Sequence, residues 1–330
     1  MIKRIIDRLK KSRRILVVSH ANPDGDAIGA LLATGLALRS MDKTVFMYNE
    51  SVIPTVYRFL PSVQAISQKT EPWIDQELDA IMVLDCGALE RVGKMAPIIG
   101  KANTIINIDH HVTNTRFGHV HLIDADACAT SEIIYRMIKQ LNIDFTCPIA
   151  TAIYTGILTD TGSFRFSNTN KAAFAICSEM IANGANPYEV AQHVYGHYSL
   201  GRIKLLNLAL DSLEISPNGR MSIMSLTQGM LDETGTQAED IDGIINYARR
   251  IEDVKVAALI HEEAGNGRER RQYHVSLRSD GNVNVARIAA RFGGGGHANA
   301  AGFSVEAALP ELKDKIVELI ETTPGLCEMN

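Results

Sequence analysis

The chain has 330 residues, 46% of them hydrophobic, and this length exceeds what one hydrophobic core usually serves, so we expect two domains. Its 33 Lys and Arg against 38 Asp and Glu give a net charge of -5. That balance excludes a broad basic surface that follows a long nucleic-acid duplex, although a local basic patch could still hold a short oligonucleotide.

The N-terminal segment, Ile2 to Leu9, places its apolar residues on one helical face and predicts a helix packed on the first domain. Asp7 and the lack of a long apolar core argue against a signal or transit peptide. No stretch approaches the ~18 apolar residues that span a membrane. The five cysteines, including Cys86 and Cys327, lack the paired spacing of a zinc site, which favours reduced thiols. We therefore expect a cytoplasmic protein with no membrane partner.

The first strand-like run, Arg14 to Ser19, is followed by a turn that carries His20, Asp24 and Asp26. A proline and a glycine within this turn gather one imidazole and two carboxylates just before a helical pattern begins at Ala27. Asp26 could simply cap that helix. The cap explains one residue and gives His20 and Asp24 no role, so we interpret the turn as a ligand cluster.

Two further strand-like runs end in polar side chains. Asp85 directly follows the apolar run Asp79 to Leu84, and Asp109, His110 and His111 follow Thr104 to Ile108. Each feature has a simpler explanation, since an Asp can start a turn and adjacent histidines can lie on the surface. In open α/β sheets, however, chemistry lies beyond the carboxyl ends of the strands.

Asp160 lies at the end of a predicted helix that begins at Cys147. Ile149, Ile153, Ile157 and Asp160 are spaced by four, four and three residues, so the carboxylate shares the apolar face. A carboxylate on that face needs a cation, a metal or a proton. A structural salt bridge would also satisfy it.

Together these positions predict a metal centre that holds two divalent ions and has one shared carboxylate. Mixed imidazole and carboxylate ligation suits Mn²⁺ better than an all-oxygen Mg²⁺ shell, while zinc or cobalt could also bind in vitro. The predicted metal ligands are His20, Asp24, Asp26, Asp85, His110 and Asp160.

Strand-like runs near residues 15, 45, 81 and 105 alternate with helical patterns, which predicts an α/β fold with a doubly wound, mainly parallel sheet. Two predicted strand pairs follow, one around a Pro-Asn-Gly turn after Leu213 and one made by Lys255 to Ile260 and Gln272 to Leu277. They predict a second, smaller α/β domain. We place the first domain at 1–190, a helical linker at 191–215 and the second domain at 216–330.

The second domain contains a candidate phosphate site. Arg278 ends a predicted strand, and the planar guanidinium fork suits two phosphate oxygens. Gly293 to Gly296 could turn backbone N–H groups toward an anion, although a flexible linker has the same composition. Arg268, Arg270 and Arg271 stand among acidic residues and are better explained as solvated surface.

The motifs resemble those of the DHH phosphoesterase superfamily. The resemblance is carried by His20-x-x-x-Asp24-x-Asp26, Asp85, Asp109-His110-His111 and Asp160, and by Gly293 to Gly302, which resembles the closing motif of a DHHA1 domain. It extends from about residue 14 to 305. Within the superfamily the chain is most similar to the enzymes of the nanoRNase type. These enzymes are both oligoribonucleases and 3'-phosphoadenosine 5'-phosphate phosphatases.

The resemblance also implies roles for individual residues. His20, Asp24 and Asp85 would hold one ion, and Asp26, Asp85, His110 and Asp160 the other. His111 would face the scissile phosphate and Asp109 would support the histidines, which makes Asp85, His111 and Asp109 the catalytic candidates. The implied substrate-binding residues are His111, Arg278, Gly294, Gly295, Gly296 and His297. Asn114 and Phe164 could touch phosphate and base, but a structural role explains both.

The resemblance implies a two-metal phosphodiesterase in which an activated water attacks the terminal phosphorus of a short single-stranded RNA, a dinucleotide or a nucleoside bisphosphate. An inorganic pyrophosphatase or an exopolyphosphatase would use the same metals. A non-catalytic dinucleotide sensor that keeps the fold is the alternative from another class. The sequence allows a homodimer without requiring one.

Overall fold

The protein is described here by a computed structural model that covers residues 2–196, 198–263, 271–280 and 283–321, with only the backbone of His297. The chain forms two compact units, Met1–His197 and Tyr198–Asn330. Cys327 and the loop that carries Arg268 and Arg270 lie outside the described residues.

The first unit is an α/β domain with six strands among the described residues. The strands are β1 (Arg14–Ser19), β2 (Thr44–Tyr48), β3 (Ile66–Ser67), β4 (Ala80–Leu84), β5 (Ile105–Asp109) and β6 (Val120–Ile123). The helices are α1 (Ile2–Lys11), α2 (Gly25–Arg39), α3 (Ala96–Ile99), α4 (Thr130–Gln140), α5 (Cys147–Asp160), α6 (Lys171–Ala182) and α7 (Pro187–Tyr195). Short 3₁₀ turns span Thr55–Tyr57, Val63–Ala65 and Leu89–Val92.

All six strands are parallel, in the order β3-β2-β1-β4-β5-β6. Apolar side chains cover both faces: residues such as Val17 and Met82 pack under α2, α4 and α5, and residues such as Val18 and Val83 pack on the side of Trp73. The strand order reverses between β1 and β4. In doubly wound folds ligands bind beyond the carboxyl ends of the strands at this reversal.

Glycines allow α2 and α5 to approach closely. A Cβ at Gly29 would lie 2.4 Å from the carbonyl oxygen of Ala152, and a Cβ at Gly156 would lie 2.8 Å from Oδ1 of Asp26. Both positions therefore exclude any side chain. The close contact brings the first turn of α2 beside the last turns of α5.

The second unit has a mixed six-stranded sheet in the order β11-β12-β10-β9-β8-β7. Its strands are β7 (Glu214–Ile215), β8 (Met221–Leu226), β9 (Val256–Glu262), β10 (Arg271–Ser279), β11 (Gly295–His297) and β12 (Ala300–Ala307). Its helices are α8 (Leu200–Asp211), α9 (Gln228–Thr234), α10 (Ile245–Arg249), α11 (Val285–Ala290) and α12 (Leu309–Glu321), with a 3₁₀ turn at Ala238–Ile241. One apolar cluster joins α11 and α12 to one sheet face, and another joins α8, α9 and α10 to the opposite face of β8 and β9.

The predicted fold class is confirmed, since a doubly wound parallel sheet precedes a second, smaller α/β unit. The predicted strand pairs correspond to β7 with β8 and to β9 with β10. The short strands β3 and β6 were missed because two to four residues carry too little pattern to predict a strand. Cys86, Cys128, Cys147 and Cys177 are free thiols, and Cys86 is a buried core residue, as expected. Among the described residues, no helix combines the length and the apolar character that a membrane span requires.

We expect Gly29→Ala to lower the free energy of unfolding by about 1–3 kcal/mol, because its Cβ would overlap backbone that cannot rotate away. Thermal unfolding followed by circular dichroism measures the change. Gly229→Ala is the matched control: a Cβ at this helical glycine would come no closer than 3.8 Å to its nearest neighbour, the hydroxyl of Thr227, so alanine should be neutral or stabilising there. Equal stability of the wild type and Gly29→Ala would contradict the close packing of α2 on α5.

Candidate metal centre

The predicted metal ligands converge at the reversal point of the first sheet. His20 follows β1, Asp85 follows β4, and His110 follows β5, so the parallel arrangement delivers all three to one edge. Asp26 lies in the first turn of α2, and Asp160 is the last residue of α5. Asp24, rather than Asp26, caps α2, since its Oδ1 accepts hydrogen bonds from the backbone N–H groups of Asp26 and Ala27.

Asp85 lies at the centre of the cluster. Its Oδ2 is 3.5 Å from Nε2 of His20, and its Oδ1 is 3.8 Å from Nε2 of His110. Its backbone has a φ of 54°, a left-handed conformation that costs energy in a non-glycine residue and persists where the surroundings enforce it. The hydroxyl of Thr130 donates a 3.0 Å hydrogen bond to Oδ1. The two carboxylate oxygens thus face different histidines, as a bridging ligand would require.

Both predicted histidine ligands are oriented by the backbone. The Nδ1 atoms of His20 and His110 lie 2.9 and 3.3 Å from the carbonyl oxygens of Ala21 and Ala127. A ring that donates through Nδ1 presents the lone pair of Nε2, which is the usual arrangement in metal-binding histidines. Nε2 of His110 also lies 3.5 Å from Oδ2 of Asp160.

Asp109 is fully buried and supports its neighbours. Its Oδ1 lies 2.6 Å from Nδ1 of His111 and accepts a 2.8 Å hydrogen bond from the backbone N–H of His110. Its Oδ2 accepts a 2.6 Å hydrogen bond from the side-chain amide of Asn114. Asn114 therefore has the structural role that was the alternative to phosphate binding. The short contact to Asp109 fixes the orientation of the His111 ring, although Nδ1 of His111 also comes within 3.6 Å of Asp85.

Several groups that hold the predicted ligands have no signal in the sequence. The backbone N–H groups of Thr130 and Ser131, at the start of α4, donate to Oδ2 and Oδ1 of Asp26 at 2.6 and 2.9 Å. A helix N-terminus supplies unpaired N–H groups that stabilise a carboxylate. The amide of Asn168 donates to Oδ2 of Asp160 at 3.2 Å. The contacts to Asp26 cross more than 100 residues of chain, so no local pattern predicts them.

Burial and mutual repulsion disfavour charge on two of the carboxylates. Burial and the negative charge of Asp85 together raise the pKa of Asp26 to about 7, against the opposing influence of His110. Burial also raises the pKa of Asp160 well above its usual value, against the opposing influence of His110. A cation placed among these groups would relieve the repulsion.

At the two histidines and at Asp85, by contrast, the pKa shifts favour the charged form. Burial alone would lower the pKa of His20, but the hydrogen bond to Asp85 and the charges of Asp24 and Asp85 raise it to about 9. Burial would also lower the pKa of His110, but the charges of Asp160, Asp85 and Asp26 raise it to about 9. Burial would raise the pKa of Asp85, yet the hydrogen bond and charge of His20 hold it far below its usual value.

The donor set fits divalent cations. Three groups each offer three ligand atoms within 4.8 Å of one another: His20 with Asp24 and Asp85, Asp26 with His110 and Asp160, and Asp85 with His110 and His111. Among the described residues, the ion-pair partners of these carboxylates are histidines rather than Lys or Arg. The cluster therefore brings together all six predicted ligands.

In the second unit, Arg278 lies at the end of β10, half-buried, and donates from Nη1 to the carbonyl of Leu277. Burial lowers its pKa, and in the described part of the chain it forms no salt bridge. Gly295 and Gly296 lie in the edge strand β11, and Gly294 lies so close to β12 that a Cβ would overlap the carbonyl of Gly302. The side chain of His297 lies outside the described residues.

Fold and site together define a class: a two-domain α/β protein whose first domain carries a His/Asp centre suited to divalent cations. Comparisons with known proteins agree with this class. Residues 14–157 match the DHH family, N-terminal domain, and residues 221–323 match the DHHA1 domain.

The chain is 31% identical to the bifunctional oligoribonuclease and PAP phosphatase NrnA of Thermus thermophilus, over 93% of this chain and 89% of that protein. A crystal structure of an exopolyphosphatase-related protein from Bacteroides fragilis is 28% identical, has a TM-score of 0.91 and covers 99% of this chain and 97% of that one. A crystal structure of exonuclease RecJ bound to manganese shares the fold, with a TM-score of 0.57 and 12% sequence identity. The match covers 100% of this chain and 95% of that one. The chain belongs to the DHH family, in the two-domain DHH–DHHA1 form that includes NrnA, as the motifs predicted.

Metal binding should release protons. In the metal-free protein, His20 and His110 have pKa values of about 9, above the 6.5 of an unfolded histidine, so their protonation stabilises the fold below about pH 6.5 and this contribution is lost as the pH rises through 9. A bound cation displaces these protons, so the affinity for Mn²⁺ should increase from pH 6.5 to 8.

Titration calorimetry in buffers of different ionisation enthalpy measures this release, which we expect to be at least about one proton per chain at pH 7.5. The His110→Gln variant should release fewer protons. An affinity that does not change with pH, without proton release, would rule out a ligand role for these histidines.

Proposed function

We propose that this protein is a metal-dependent phosphodiesterase that degrades short oligoribonucleotides, including linear dinucleotides such as pApA and pGpG, to nucleoside monophosphates, and that also hydrolyses 3'-phosphoadenosine 5'-phosphate (PAP). The observation that carries the proposal is the convergence of six His and Asp ligands in a chain that matches a named oligoribonuclease and PAP phosphatase over 93% of its length. The fold alone would not indicate the substrate.

We further propose that the centre holds two Mn²⁺ ions and that Asp85 bridges them. His20 and Asp24 would complete one site, and Asp26, His110 and Asp160 the other. The opposed directions of the two Asp85 oxygens and the mixed imidazole and carboxylate donors support this assignment. Ions at these sites would lower the pKa of a water and neutralise charge on the phosphoester.

The residues of the chain would orient and bind the substrate. Asp109 holds the His111 ring by the 2.6 Å contact, so His111 can address the scissile phosphate in one orientation. Arg278, which forms no salt bridge among the described residues, would bind a phosphate, together with His297 and the backbone of Gly294, Gly295 and Gly296. We assign the metal centre to residues 1–190 and phosphate binding to 216–330, joined by the helical segment 191–215.

The expected partners are short single-stranded RNA, dinucleotides and nucleoside bisphosphates rather than a long duplex, because the net charge is -5. The four free cysteines that the structure describes support a reducing, cytoplasmic setting. A second candidate function is exopolyphosphatase, which is favoured by the name of the Bacteroides fragilis relative.

Turnover with Mn²⁺ across a small substrate panel tests the proposal. We expect AMP from pApA and from PAP, faster hydrolysis of a two-nucleotide than of a twenty-nucleotide RNA, and little phosphate from pyrophosphate or polyphosphate. Equal rates on the two RNA lengths would contradict the preference for short substrates. Phosphate release from polyphosphate alone would favour the second candidate, and tight dinucleotide binding without turnover would indicate a sensor.

Removal of a metal ligand should abolish turnover without unfolding the protein. His110→Ala and Asp160→Ala should each reduce kcat/KM for pApA by at least about 100-fold, since even residues that only support ligands contribute up to that factor. His119→Ala and Asp144→Ala change exposed residues outside the centre and should retain activity. Circular dichroism verifies the fold, and full activity in either ligand variant would remove that residue from the proposed centre.

A further inference from the structure

Polar side chains line one face of β10 in the second unit. His274, Ser276 and Arg278 alternate with the buried residues Val275 and Leu277, which face α11 and α12. The polar side chains therefore lie on the opposite face of the sheet. On β12 the residues of that face are small: Ser304 pairs with His274, Gly302 with Ser276 and Ala300 with Arg278.

A hydrogen-bond chain fixes the orientation of His274. The hydroxyl of Ser304 donates to Oε1 of Glu263 at 3.2 Å, and Nδ1 of His274 lies 3.1 Å from the same hydroxyl oxygen. A carboxylate only accepts hydrogen bonds, so the single proton of Ser304 is directed to Glu263 and Nδ1 of His274 must donate. The other ring nitrogen, Nε2, then presents a lone pair.

A glycine makes room for this nitrogen. A Cβ at Gly302 would lie 3.2 Å from Nε2 of His274 and 3.1 Å from the carbonyl of Val275. Any side chain at residue 302 would press on the imidazole. The glycine near the end of the DHHA1 motif thus serves a local purpose beyond hairpin geometry.

A second imidazole lies beside the first. His261 pairs with His274 across β9 and β10, and the ring centroids are 5.2 Å apart. Nδ1 of His261 is buried and has no hydrogen-bond partner among the described residues. Burial, together with the neighbouring ring, lowers the pKa of His261, and burial lowers that of His274, so the surroundings favour the neutral form of both rings. A neutral imidazole that accepts a hydrogen bond suits a hydroxyl group and does not suit a phosphate.

The spacing along β10 indicates which part of a substrate could reach His274. Four residues separate it from Arg278 on the same face, which corresponds to about 13 Å along a strand. This separation of the two Cα atoms exceeds the step from one phosphate to the next along a nucleotide chain. A ligand whose phosphate is held by Arg278 would reach His274 only with a later nucleotide of the chain.

We propose that His274, oriented by Ser304 and Glu263, forms a second nucleotide subsite that accepts a hydrogen bond from the ribose 2'-hydroxyl of a nucleotide distant from the phosphate bound at Arg278. The subsite rests on the proposed function and deepens it. It binds substrates longer than a dinucleotide and distinguishes RNA from DNA at one position.

Kinetics on substrates of different length test the subsite. His274→Ala should raise KM for a five-nucleotide RNA roughly five-fold, the size of one hydrogen bond, and leave kcat unchanged because a contact made equally in the ground state and the transition state affects KM alone. KM for pApA and PAP should not change. A scan of single 2'-deoxy substitutions should identify one position that raises KM in the wild type and has no effect in His274→Ala.

Ser304→Ala keeps the imidazole but removes its orientation, and should raise KM for the five-nucleotide RNA by a smaller factor. His193→Ala is the control: it removes an imidazole of the first unit that stacks on Phe59 with ring centroids 4.4 Å apart. Its kcat and KM should equal those of the wild type on all substrates. Equal effects of His274→Ala on every length, no effect on any, or unchanged sensitivity to the 2'-deoxy scan would overturn the subsite. Absence of turnover of any substrate by the wild type would instead reject the proposed function, and the subsite with it.

Discussion

Repulsion between buried carboxylates is the constraint on which the first domain depends. Asp26 and Asp85 are both almost completely buried, and among the described residues neither pairs with a lysine or an arginine. Unpaired buried charge is costly, so the fold surrounds these groups with imidazoles, a hydroxyl and the N-terminus of α4. The remaining imbalance appears as a raised pKa at Asp26 and a lowered one at Asp85. A cation bound among these groups would remove the same imbalance and would thereby stabilise the domain.

Parallel strands explain why this charge is concentrated at one place. Strands β1, β4 and β5 are neighbours, and each is followed by one of the proposed ligands. Helix α2 then adds Asp26 from its first turn and α5 adds Asp160 from its last. The left-handed backbone conformation of Asp85 is locally unfavourable, and the surrounding hydrogen bonds and packing maintain it.

Local patterns predicted most of the fold and the side chains that converge at the candidate centre. Each apolar strand there is followed by His or Asp, and parallel strands bring these residues to one edge of the sheet. The supporting contacts followed no such pattern. The hydrogen bonds from Thr130 and Ser131 to Asp26 cross more than 100 residues of chain. Pairing of His274 with His261 and Ser304 depends on strand register, since a shift by one residue would place them on opposite faces. Short strands such as β3 lack enough residues to show a period at all.

The contact of α2 with α5 through Gly29 and Gly156 has a consequence for ion choice. Main-chain atoms, rather than flexible side chains, determine how far apart these helices stand. The span between the carboxylates of Asp26 and Asp160 is therefore stiff. If these carboxylates hold an ion, as proposed, a stiff span would favour cations within a narrow range of ionic radius and would penalise larger ones such as Ca²⁺, even though Ca²⁺ prefers oxygen ligands.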